Sequence, residues 1–260
     1  MNLIKQTAVV FSPTESTLKI AKTMMAELPI PAETVDVTCF SERGRAERFT
    51  ADQLVIFGVP VYGGRVPAAA VERFTTMRGD KTPAILLATF GNRAYEDALL
   101  ELKELVEQNG FVTVAAAAFV TEHSIMHSVA AGRPDSADTA RIQEFAQKAW
   151  KKLQDAETIA QIPALELPGN KPFRSYGGVP MKPQGGKNCT KCGVCAANCP
   201  TGAIPAENPK ETDKERCISC MRCIKVCPTH ARKLNPLMLG VAEKAFAQKC
   251  STRQEPELFL

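Results

Sequence analysis

Eight of the ten cysteines lie between residues 189 and 227, in two copies of one spacing. Each copy reads C-x2-C-x2-C-x3-C, and a proline directly follows its last cysteine. The copies comprise Cys189, Cys192, Cys195 and Cys199, then Cys217, Cys220, Cys223 and Cys227. Three closely spaced thiols can surround one centre, so this pattern constrains the segment to fold around metal.

This is the spacing of bacterial two-cluster ferredoxins, in which the fourth cysteine of each run ligates the other cluster. The sequence therefore predicts two [4Fe–4S] clusters that pass electrons singly. The alternatives are a zinc site, which needs only four ligands in two pairs, and a disulfide framework. By the exchange rule, cluster one takes Cys189, Cys192, Cys195 and Cys227, and cluster two takes Cys217, Cys220, Cys223 and Cys199.

The chain is longer than a cluster module requires, because 260 residues are typical of two domains. No apolar stretch reaches the roughly 18 residues of a membrane span. Residues 1–10 lack the charged region and cleavage site of a signal peptide. Thiols that bind iron are kept reduced in the cytoplasm, which is therefore the expected compartment.

Positive charge is concentrated in the cysteine-rich part. From Asn170 onward there are 15 Lys and Arg against 7 Asp and Glu, although the whole chain carries only +4. These cations are dispersed among the cysteines and form no stripe, which argues against nucleic-acid binding. They are expected to offset cluster charge or to present a docking face to an acidic redox partner protein. The sequence leaves the oligomeric state open.

The N-terminal part alternates strand and helix patterns, which predicts a doubly wound α/β domain. The predicted strands are Thr7–Phe11, Thr34–Val37, Gln53–Val59, Ala84–Phe90 and Val112–Val120. The predicted helices are Leu18–Leu28, Ala68–Met77, Ala94–Asn109 and Asp135–Ala156, with a closing helix at Pro236–Cys250. We expect an α/β domain over residues 1–156, a Pro/Gly-rich arm over 157–187, a cluster domain over 188–235, and a helix and tail over 236–260.

Three loops follow predicted strands, at the edge where open α/β sheets bind ligands. The first, Ser12–Thr17, offers four hydroxyls at a helix N-terminus. This favours a phosphate site over the alternative of a simple helix cap. The second and third loops, residues 60–67 and 89–95, combine aromatic side chains with glycines, and glycine allows a flat ring to approach the backbone closely.

Residues 1 to about 155 resemble a flavodoxin-like domain. Through the segment TFGNRAYEDAL at 89–99 and the cysteine runs, the whole chain resembles the flavodoxin–ferredoxin fusion proteins of anaerobic bacteria and archaea. The resemblance implies a five-stranded flavodoxin-like parallel sheet in the order 2-1-3-4-5, bound FMN, and a small α+β cluster domain. It places the FMN phosphate at Ser12, Thr14, Ser16 and Thr17, and the ring among Pro60, Tyr62, Gly63, Thr89, Phe90, Gly91, Asn92 and Tyr95.

One residue departs from the family pattern. Glu15 stands where the phosphate loop of the family usually has glycine, and a carboxylate beside a phosphate is repulsive. Glu15 either points outward and only weakens binding, or it indicates a domain that binds a different ligand or none.

The few histidines and two extra cysteines are assigned only provisional roles. His123 and His127 follow the last predicted strand, and either both make ordinary loop hydrogen bonds or one faces the flavin or the domain junction. His230 follows the last cysteine run and is expected near a cluster. Cys39 and Cys250 lie outside the runs and are interpreted as packing residues.

The resulting hypothesis is an electron-transfer flavoprotein, in which two clusters exchange single electrons with FMN and with redox partners. One alternative is a reductase that acts on a small substrate at the flavin, with His123 and Tyr62 as acid candidates. The other is a two-cluster carrier or sensor without flavin.

Overall fold

A computed structural model describes the backbone of residues 1–260 and every side chain except that of Ala247. The strands are β1 (Lys5–Val10), β2 (Ala32–Asp36), β3 (Glu47–Phe49), β4 (Gln53–Pro60), β5 (Met77–Gly79), β6 (Thr82–Phe90), β7 (Phe111–Val120), β8 (Gln184–Gly185), β9 (Arg232–Lys233) and β10 (Glu257–Phe259). The α-helices are α1 (Ser16–Met25), α2 (Ala68–Phe74), α3 (Ala98–Glu107), α4 (Ser136–Asp155), α5 (Val194–Ala197), α6 (Arg222–Lys225) and α7 (Pro236–Lys249).

The main sheet runs in the order β2-β1-β4-β6-β7-β10. Its first five strands are parallel, and their order in sequence terms is 2-1-3-4-5, the flavodoxin-like arrangement. The predicted fold is therefore confirmed for the parallel strands. A sixth strand, β10, pairs antiparallel with β7 and was not predicted.

The central strands are apolar throughout because helices cover both of their faces. All of β6 is buried, and β4 and β7 are buried except near their ends. On one face Phe57 meets Phe74 and Phe111 edge-on, with ring centroids 5.1 and 4.9 Å apart. On the other face α1 and α4 cover a second apolar layer that includes Ile56 and Ile85. The two layers hold the strand ends, and hence the loops beyond them, in place.

Local signals fix where the longest helix begins. Asp135 caps α4 by accepting from the Asp138 backbone N–H at 3.0 Å, and the Asp138 carboxylate accepts from the Asp135 N–H in return. This reciprocal capping box confirms the predicted start of the helix. The helix α3 begins at Ala98 rather than Ala94, because the preceding residues form a turn in which Asn92 and Glu96 have positive φ.

The cysteine-rich segment is built as two similar halves. The short helices α5 and α6 each lie inside one cysteine run, and β8 pairs with β9. Positive φ angles recur at equivalent positions, at Lys191 and Ser219 and again at Gly193 and Met221. The repeated sequence spacing therefore produces a repeated backbone path.

The Pro/Gly-rich arm is extended but held at defined points. The buried carboxylate of Asp97 accepts from the Asn170 and Arg174 backbone N–H groups at 2.9 and 2.8 Å. The Arg65 guanidinium donates to the Arg174 carbonyl. These contacts lay the arm along the α/β domain and lead it to the cluster domain.

The C-terminal residues return to the α/β domain through Asn92. Its side-chain amide donates to the carbonyls of Cys250 and Thr252 at 2.9 Å, and its oxygen accepts from the Gln254 N–H at 2.9 Å. The residues expected as a tail thus become part of the main sheet, since β10 follows directly.

We expect Asn92→Gly to lower the free energy of unfolding by about 2 kcal/mol, because several buried hydrogen bonds lose their partner. Glycine tolerates the positive φ of 59° at this position, so the change tests the amide alone. Asn208→Gly, which removes one exposed amide contact to Glu211, is the control and should change stability by under about 0.5 kcal/mol. Urea unfolding followed by Trp150 fluorescence measures both variants, and equal losses would contradict the anchoring role.

Candidate functional site

The eight clustered thiols face two separate cavities. The first cavity is lined by Cys189, Cys192, Cys195 and Cys227. The second is lined by Cys199, Cys217, Cys220 and Cys223. Each cavity thus draws three thiols from one run and the last thiol from the other, which is the exchange expected from the sequence. No group of His, Cys, Asp or Glu in the described part of the chain encloses a single metal ion.

The last cysteine of each run accepts a hydrogen bond from a backbone N–H group, at equivalent positions in the two runs. The Ala203 N–H donates to the Cys199 sulfur, and the Ala231 N–H donates to the Cys227 sulfur, both at 3.2 Å. Such bonds favour thiolate over thiol. The arrangement suits a metal cluster that is bound by deprotonated cysteines.

Burial has the opposite effect on several thiols. It raises the pKa of Cys223 to about 11 and the pKa of Cys220 further above its usual value of 9.0. Metal binding at these positions must therefore release protons, and it becomes harder as the pH falls. Cys192 differs from the other thiols, because it is exposed to solvent.

The first loop of the α/β domain divides its hydroxyls between two tasks. The Ser12 hydroxyl accepts from the Leu18 N–H at 3.0 Å, and the Thr17 hydroxyl bonds that of Thr89 at 2.7 Å, so these three side chains hold the loop. Thr14 and Ser16 instead line a cavity of about 550 Å³. Of the four predicted phosphate residues, the structure brings two to open space.

Glu15 adopts a left-handed backbone conformation, with φ of 70°, where the family usually has glycine. Its carboxylate lies 3.4 Å from the Arg222 guanidinium and 3.7 Å from the Lys225 ammonium, both in the cluster domain. Arg222 also donates to the Pro13 carbonyl at 3.3 Å. The side chain of Glu15 therefore serves the domain contact.

The second loop forms a tight turn at the entrance to another cavity. Tyr62 and Arg65 exchange backbone hydrogen bonds of 3.0 and 3.2 Å, and Gly63 and Gly64 between them have positive φ. This is the geometry of a type I′ turn, which glycine accommodates without strain. The turn presents the Tyr62 ring beside a cavity of about 230 Å³.

The cavity beside Tyr62, which we call the ring cavity, is lined by residues from distant parts of the chain. Predicted members that line it are Tyr62, Gly63, Phe90 and Gly91. It shares Ser124 and Ile125 with the cavity at Thr14 and Ser16, so the two cavities are neighbours and together make up the candidate site. The site is basic at the hydroxyl end, where Lys225 and Lys233 face it, and mostly apolar at the other. It suits a long ligand with an anionic end and a flat end.

Four predicted ring residues do not line the ring cavity. Asn92 bonds the C-terminal segment, and the Tyr95 hydroxyl donates to Glu257 at 2.6 Å. Thr89 bonds Thr17, and Pro60 ends β4 away from the lining. Their side chains shape the loops instead, because the returning C-terminal segment takes up the polar groups of Asn92 and Tyr95.

Several residues of the ring cavity were not predicted for it. Tyr176, Val179 and Met181 come from the arm, Ile218 and Ser219 from the cluster domain, and Phe246 from α7. The Tyr176 ring lies so close to Gly63 that a Cβ there would be 2.0 Å from it. The only sequence signal was the apolar content of the arm, since contacts between domains leave no local pattern.

His123 is the titratable residue most closely packed against the third loop. A Cβ at Gly91 would lie 2.4 Å from its ring, and the Phe246 ring is 5.0 Å away. Its Nδ1 accepts from the Ile125 and Met126 N–H groups at 3.1 Å, which leaves the proton on Nε2. Burial, with a smaller effect of His127, lowers the pKa of His123 from 6.5 to about 4.

Tyr62 connects the ring cavity to the cluster domain. Burial raises its pKa well above 10, and the nearby Cys220, Tyr176 and Cys217 add to this effect. The phenol therefore stays protonated at neutral pH. The ring cavity and the second thiol cavity are close neighbours, since Ile218 lines both of them.

Of the remaining predicted residues, His127 lines the cavity at Thr14 and Ser16, whereas Cys39, Cys250 and His230 line neither this cavity nor the ring cavity. The Cys39 thiol is half-buried, 3.9 Å from the Asn198 amide oxygen, and Cys250 is buried in an apolar cluster with Met126 and Met181. The His127 imidazole pairs with Glu122 at 2.6 Å, and His230 is exposed.

Residues 188–231 match the family described as the 4Fe-4S dicluster domain. This part of the chain is a 4Fe-4S dicluster domain. Combined with the flavodoxin-like strand order, the match supports the fusion architecture that the sequence resembles. The dicluster domain packs on the loop edge of the parallel sheet, where Arg73 of α2 donates to the Pro200 carbonyl at 2.6 Å.

One curated protein is similar over part of the chain. It is the thiosulfate reductase electron transfer subunit PhsB of Salmonella typhi, 43% identical over 61 residues, or 22% of this chain. The match spans 31% of that protein's length.

Solved structures are similar over the α/β domain. An apo NADH:FMN oxidoreductase (EMOB) is 13% identical over 62% of this chain and 95% of its own, with a TM-score of 0.41. A flavodoxin of Streptococcus pneumonia TIGR4 is 16% identical over 57% and 99%, with a TM-score of 0.40. At such scores the fold assignment rests on the strand order above. Among the described residues, no helix has the length and apolarity needed to span a membrane.

Stability should depend on pH through His123. Its folded pKa of about 4 lies below the ordinary 6.5, so below pH 6.5 the unfolded chain takes up a proton that the folded protein does not. We expect the flavin-free protein to lose about 3 kcal/mol of stability from this residue as the pH falls from 6.5 to 4.

The control for this effect is His123→Asn, whose amide oxygen can still accept from the Ile125 and Met126 N–H groups. Urea unfolding at several pH values should show a smaller loss in this variant than in the wild type. Parallel pH profiles would contradict the assignment to His123.

Proposed function

We propose that this protein is an electron-transfer iron–sulfur flavoprotein that relays single electrons between two [4Fe–4S] clusters and FMN. The clusters are held by the two thiol sets that line separate cavities. FMN would be held by the two neighbouring cavities, with its phosphate at Thr14 and Ser16 and its ring in the ring cavity. When bound, FMN supplies a centre that exchanges one or two electrons.

The observation that carries the proposal is the shared wall between the ring cavity and the dicluster domain. Ile218 and Ser219, which lie between the second-cluster ligands Cys217 and Cys220, line the ring cavity directly. A ring bound there would lie against the segment that joins two ligands of the second cluster. Such closeness is required for transfer between them.

The hydroxyl end of the site fits the phosphate of FMN. Thr14 and Ser16 offer hydroxyl donors at the start of α1, where the helix dipole favours an anion. Lys225 and Lys233 add positive charge from the dicluster domain. Ser12, Thr17 and Thr89 support the phosphate site by fixing the loop.

The protein's own residues position the ring and exclude water from it. Tyr62 and Tyr176 flank the ring cavity from the α/β domain and the arm, and Phe246 closes it from α7. The Nε2–H of neutral His123 is a hydrogen-bond donor at the third loop. Asn92 and Tyr95 hold that loop in place by bonding the C-terminal segment.

External redox partners are proposed to meet the first cluster. Cys192 of that set is exposed, whereas the second set is buried or half-buried. The exposed Lys187 and Lys191 lie beside the first set, which favours an acidic partner protein. The first thiol set would thus hold the cluster that is accessible to partners, and the second set would hold the cluster beside the ring cavity. We place this relay in the cytoplasm, where thiols remain reduced.

A reductase of small molecules is the second candidate, and one groove favours it. This groove of about 880 Å³ is lined by Tyr62, Tyr176, Arg65, Lys182 and Cys217, beside both the ring cavity and the second cluster. A small electron acceptor bound there would contact the relay at its midpoint. Steady-state turnover with reduced partner protein and a panel of quinones and nitro compounds separates the two candidates.

Protein purified without oxygen should contain about eight irons per chain, on the ligand count of two four-iron clusters. Cys220→Ser should lose about half of this iron or more, because it removes one ligand of the second cluster. Cys39→Ser is the matched control and should retain all of it. Iron near four in the wild type would contradict the two-cluster assignment.

FMN binding to flavin-free protein tests the phosphate site. We expect Thr14→Val and Ser16→Ala each to weaken binding about tenfold, since each removes a hydrogen bond to a charged group. Glu15→Gln should change the affinity less than about threefold, because the carboxylate is turned toward Arg222. Flavin fluorescence quenching measures all three. A large gain in Glu15→Gln would mean that Glu15 faces the phosphate, and no binding by the wild type would refute the flavin role.

A further inference from the structure

Arg232 is one of the two largest side chains that are completely buried in this protein. It is 1% exposed and lies in β9, directly after the second cysteine run. Its hydrogen-bond acceptors are the carbonyls of Pro183, Pro209, Lys210 and Glu211 and the hydroxyl of Thr212, all of them neutral. Burying a guanidinium without a negative partner is costly, so its charge requires an explanation.

The protein pairs other buried arginines with acids. Arg133 is 8% exposed and donates from Nε to the Asp138 carboxylate at 2.7 Å. Arg73 is 1% exposed and has Glu72 at 3.4 Å. Among the described carboxylates, none forms an ion pair with Arg232. Its compensating charge must therefore come from something other than a protein acid.

The internal repeat shows that a cation is not needed to build this position. The first run continues Cys199-Pro200-Thr201-Gly202-Ala203-Ile204, and the second continues Cys227-Pro228-Thr229-His230-Ala231-Arg232. Arg232 is thus the counterpart of Ile204, which is also buried, at 5% exposure. One half of the domain fills the site with an apolar side chain, and the other fills it with a charge.

The guanidinium lies between the two thiol cavities. Arg232 lines the first thiol cavity and also the cavity at Thr14 and Ser16, and one of its terminal nitrogens donates to Pro209 of the first thiol cavity at 2.8 Å. The other terminal nitrogen donates to Pro183 at 2.8 Å and to Thr212, and both of these residues line the second cavity. A single positive charge is therefore held rigidly between the sites of both clusters.

We infer that Arg232 is a shared counter-charge for the two clusters and raises the reduction potential of both. This inference rests on the cluster assignment proposed above. A cluster held by four thiolates carries net negative charge and gains one more on taking up an electron, with no bond made or broken. A fixed buried cation stabilises the reduced form more than the oxidised form, because the low dielectric of the interior strengthens the attraction. Arg232 thus acts through its charge, which is held against residues that line the two thiol cavities.

The test compares two variants in whole protein with its clusters. Arg232→Gln keeps an amide donor but removes the charge, and Arg232→Lys keeps the charge with fewer donors. Lys214→Gln removes an exposed charge close to the second run and serves as the control. Redox titration followed by electron paramagnetic resonance gives the ratio of reduced to oxidised cluster at fixed potential.

We expect Arg232→Gln to lower that ratio about tenfold for both clusters, a shift of about 59 mV for one electron. Arg232→Lys and Lys214→Gln should stay within about twofold of the wild type, since buried charge is retained in Arg232→Lys and only a screened surface charge is lost in Lys214→Gln. Unchanged potentials in Arg232→Gln, or equal shifts in Arg232→Gln and Arg232→Lys, would overturn the inference.

Two further readouts keep the test decisive. If Arg232→Gln does not hold its clusters, iron content after reconstitution replaces the potential: Arg232→Lys must retain more iron than Arg232→Gln, and equal loss overturns the charge role. If the wild type lacks two cluster signals, the cluster assignment has failed. If it has both and Arg232→Gln titrates normally, the inference alone has failed.

Discussion

Arg222 joins the two domains at the loop that begins α1. Its guanidinium reaches the Pro13 carbonyl, the Glu15 carboxylate and the Asn198 amide oxygen, and its side chain is only 11% exposed. The contact sets α6, and with it the second cysteine run, against the edge of the sheet where ligands bind. The ring cavity exists only because this edge is covered, since the cavity takes one wall from each domain.

Much of the fold follows from local sequence, and the reason is burial on both faces. The strands β4, β6 and β7 read as continuous apolar runs because helices cover them on either side. Asp135 marked the start of α4 directly, because its side chain caps the helix. The strand β10 was not predicted because no periodicity develops over its three residues. Its partner, β7, also lies about 140 residues earlier in the chain, so the pairing leaves no local signal.

The candidate site was predictable in its loops but not in the roles of individual side chains. Thr14 and Thr17 are threonines of the same loop, yet Thr14 lines a cavity and Thr17 is buried against Thr89. Asn92 was expected at the ring because of its loop, and it bonds a segment about 160 residues further along the chain. Such assignments depend on tertiary contacts, whereas the cysteine spacing encodes its own geometry within a few residues.

At Glu15 the backbone conformation is unfavourable for the residue, whereas its side-chain charge makes favourable contacts. Its positive φ is a conformation that glycine adopts more easily, so the side chain is retained at some conformational cost. The retained carboxylate meets two cations of the dicluster domain instead of facing the phosphate site. The Glu15 carboxylate, which the sequence places beside a phosphate, is thus explained by the domain contact that encloses the candidate site.

The dicluster domain has a charge balance that its protein atoms alone do not satisfy. Burial holds the thiols of Cys220 and Cys223 in their neutral form, while Arg232 is enclosed among neutral acceptors. Metal uptake reverses both conditions, because the thiols lose protons and the clusters bring negative charge beside the cation. We therefore expect folding of this domain to be coupled to the uptake of iron. Arg73 connects the α/β domain to this metal site, because its guanidinium donates to the carbonyl of Pro200, the residue next to Cys199.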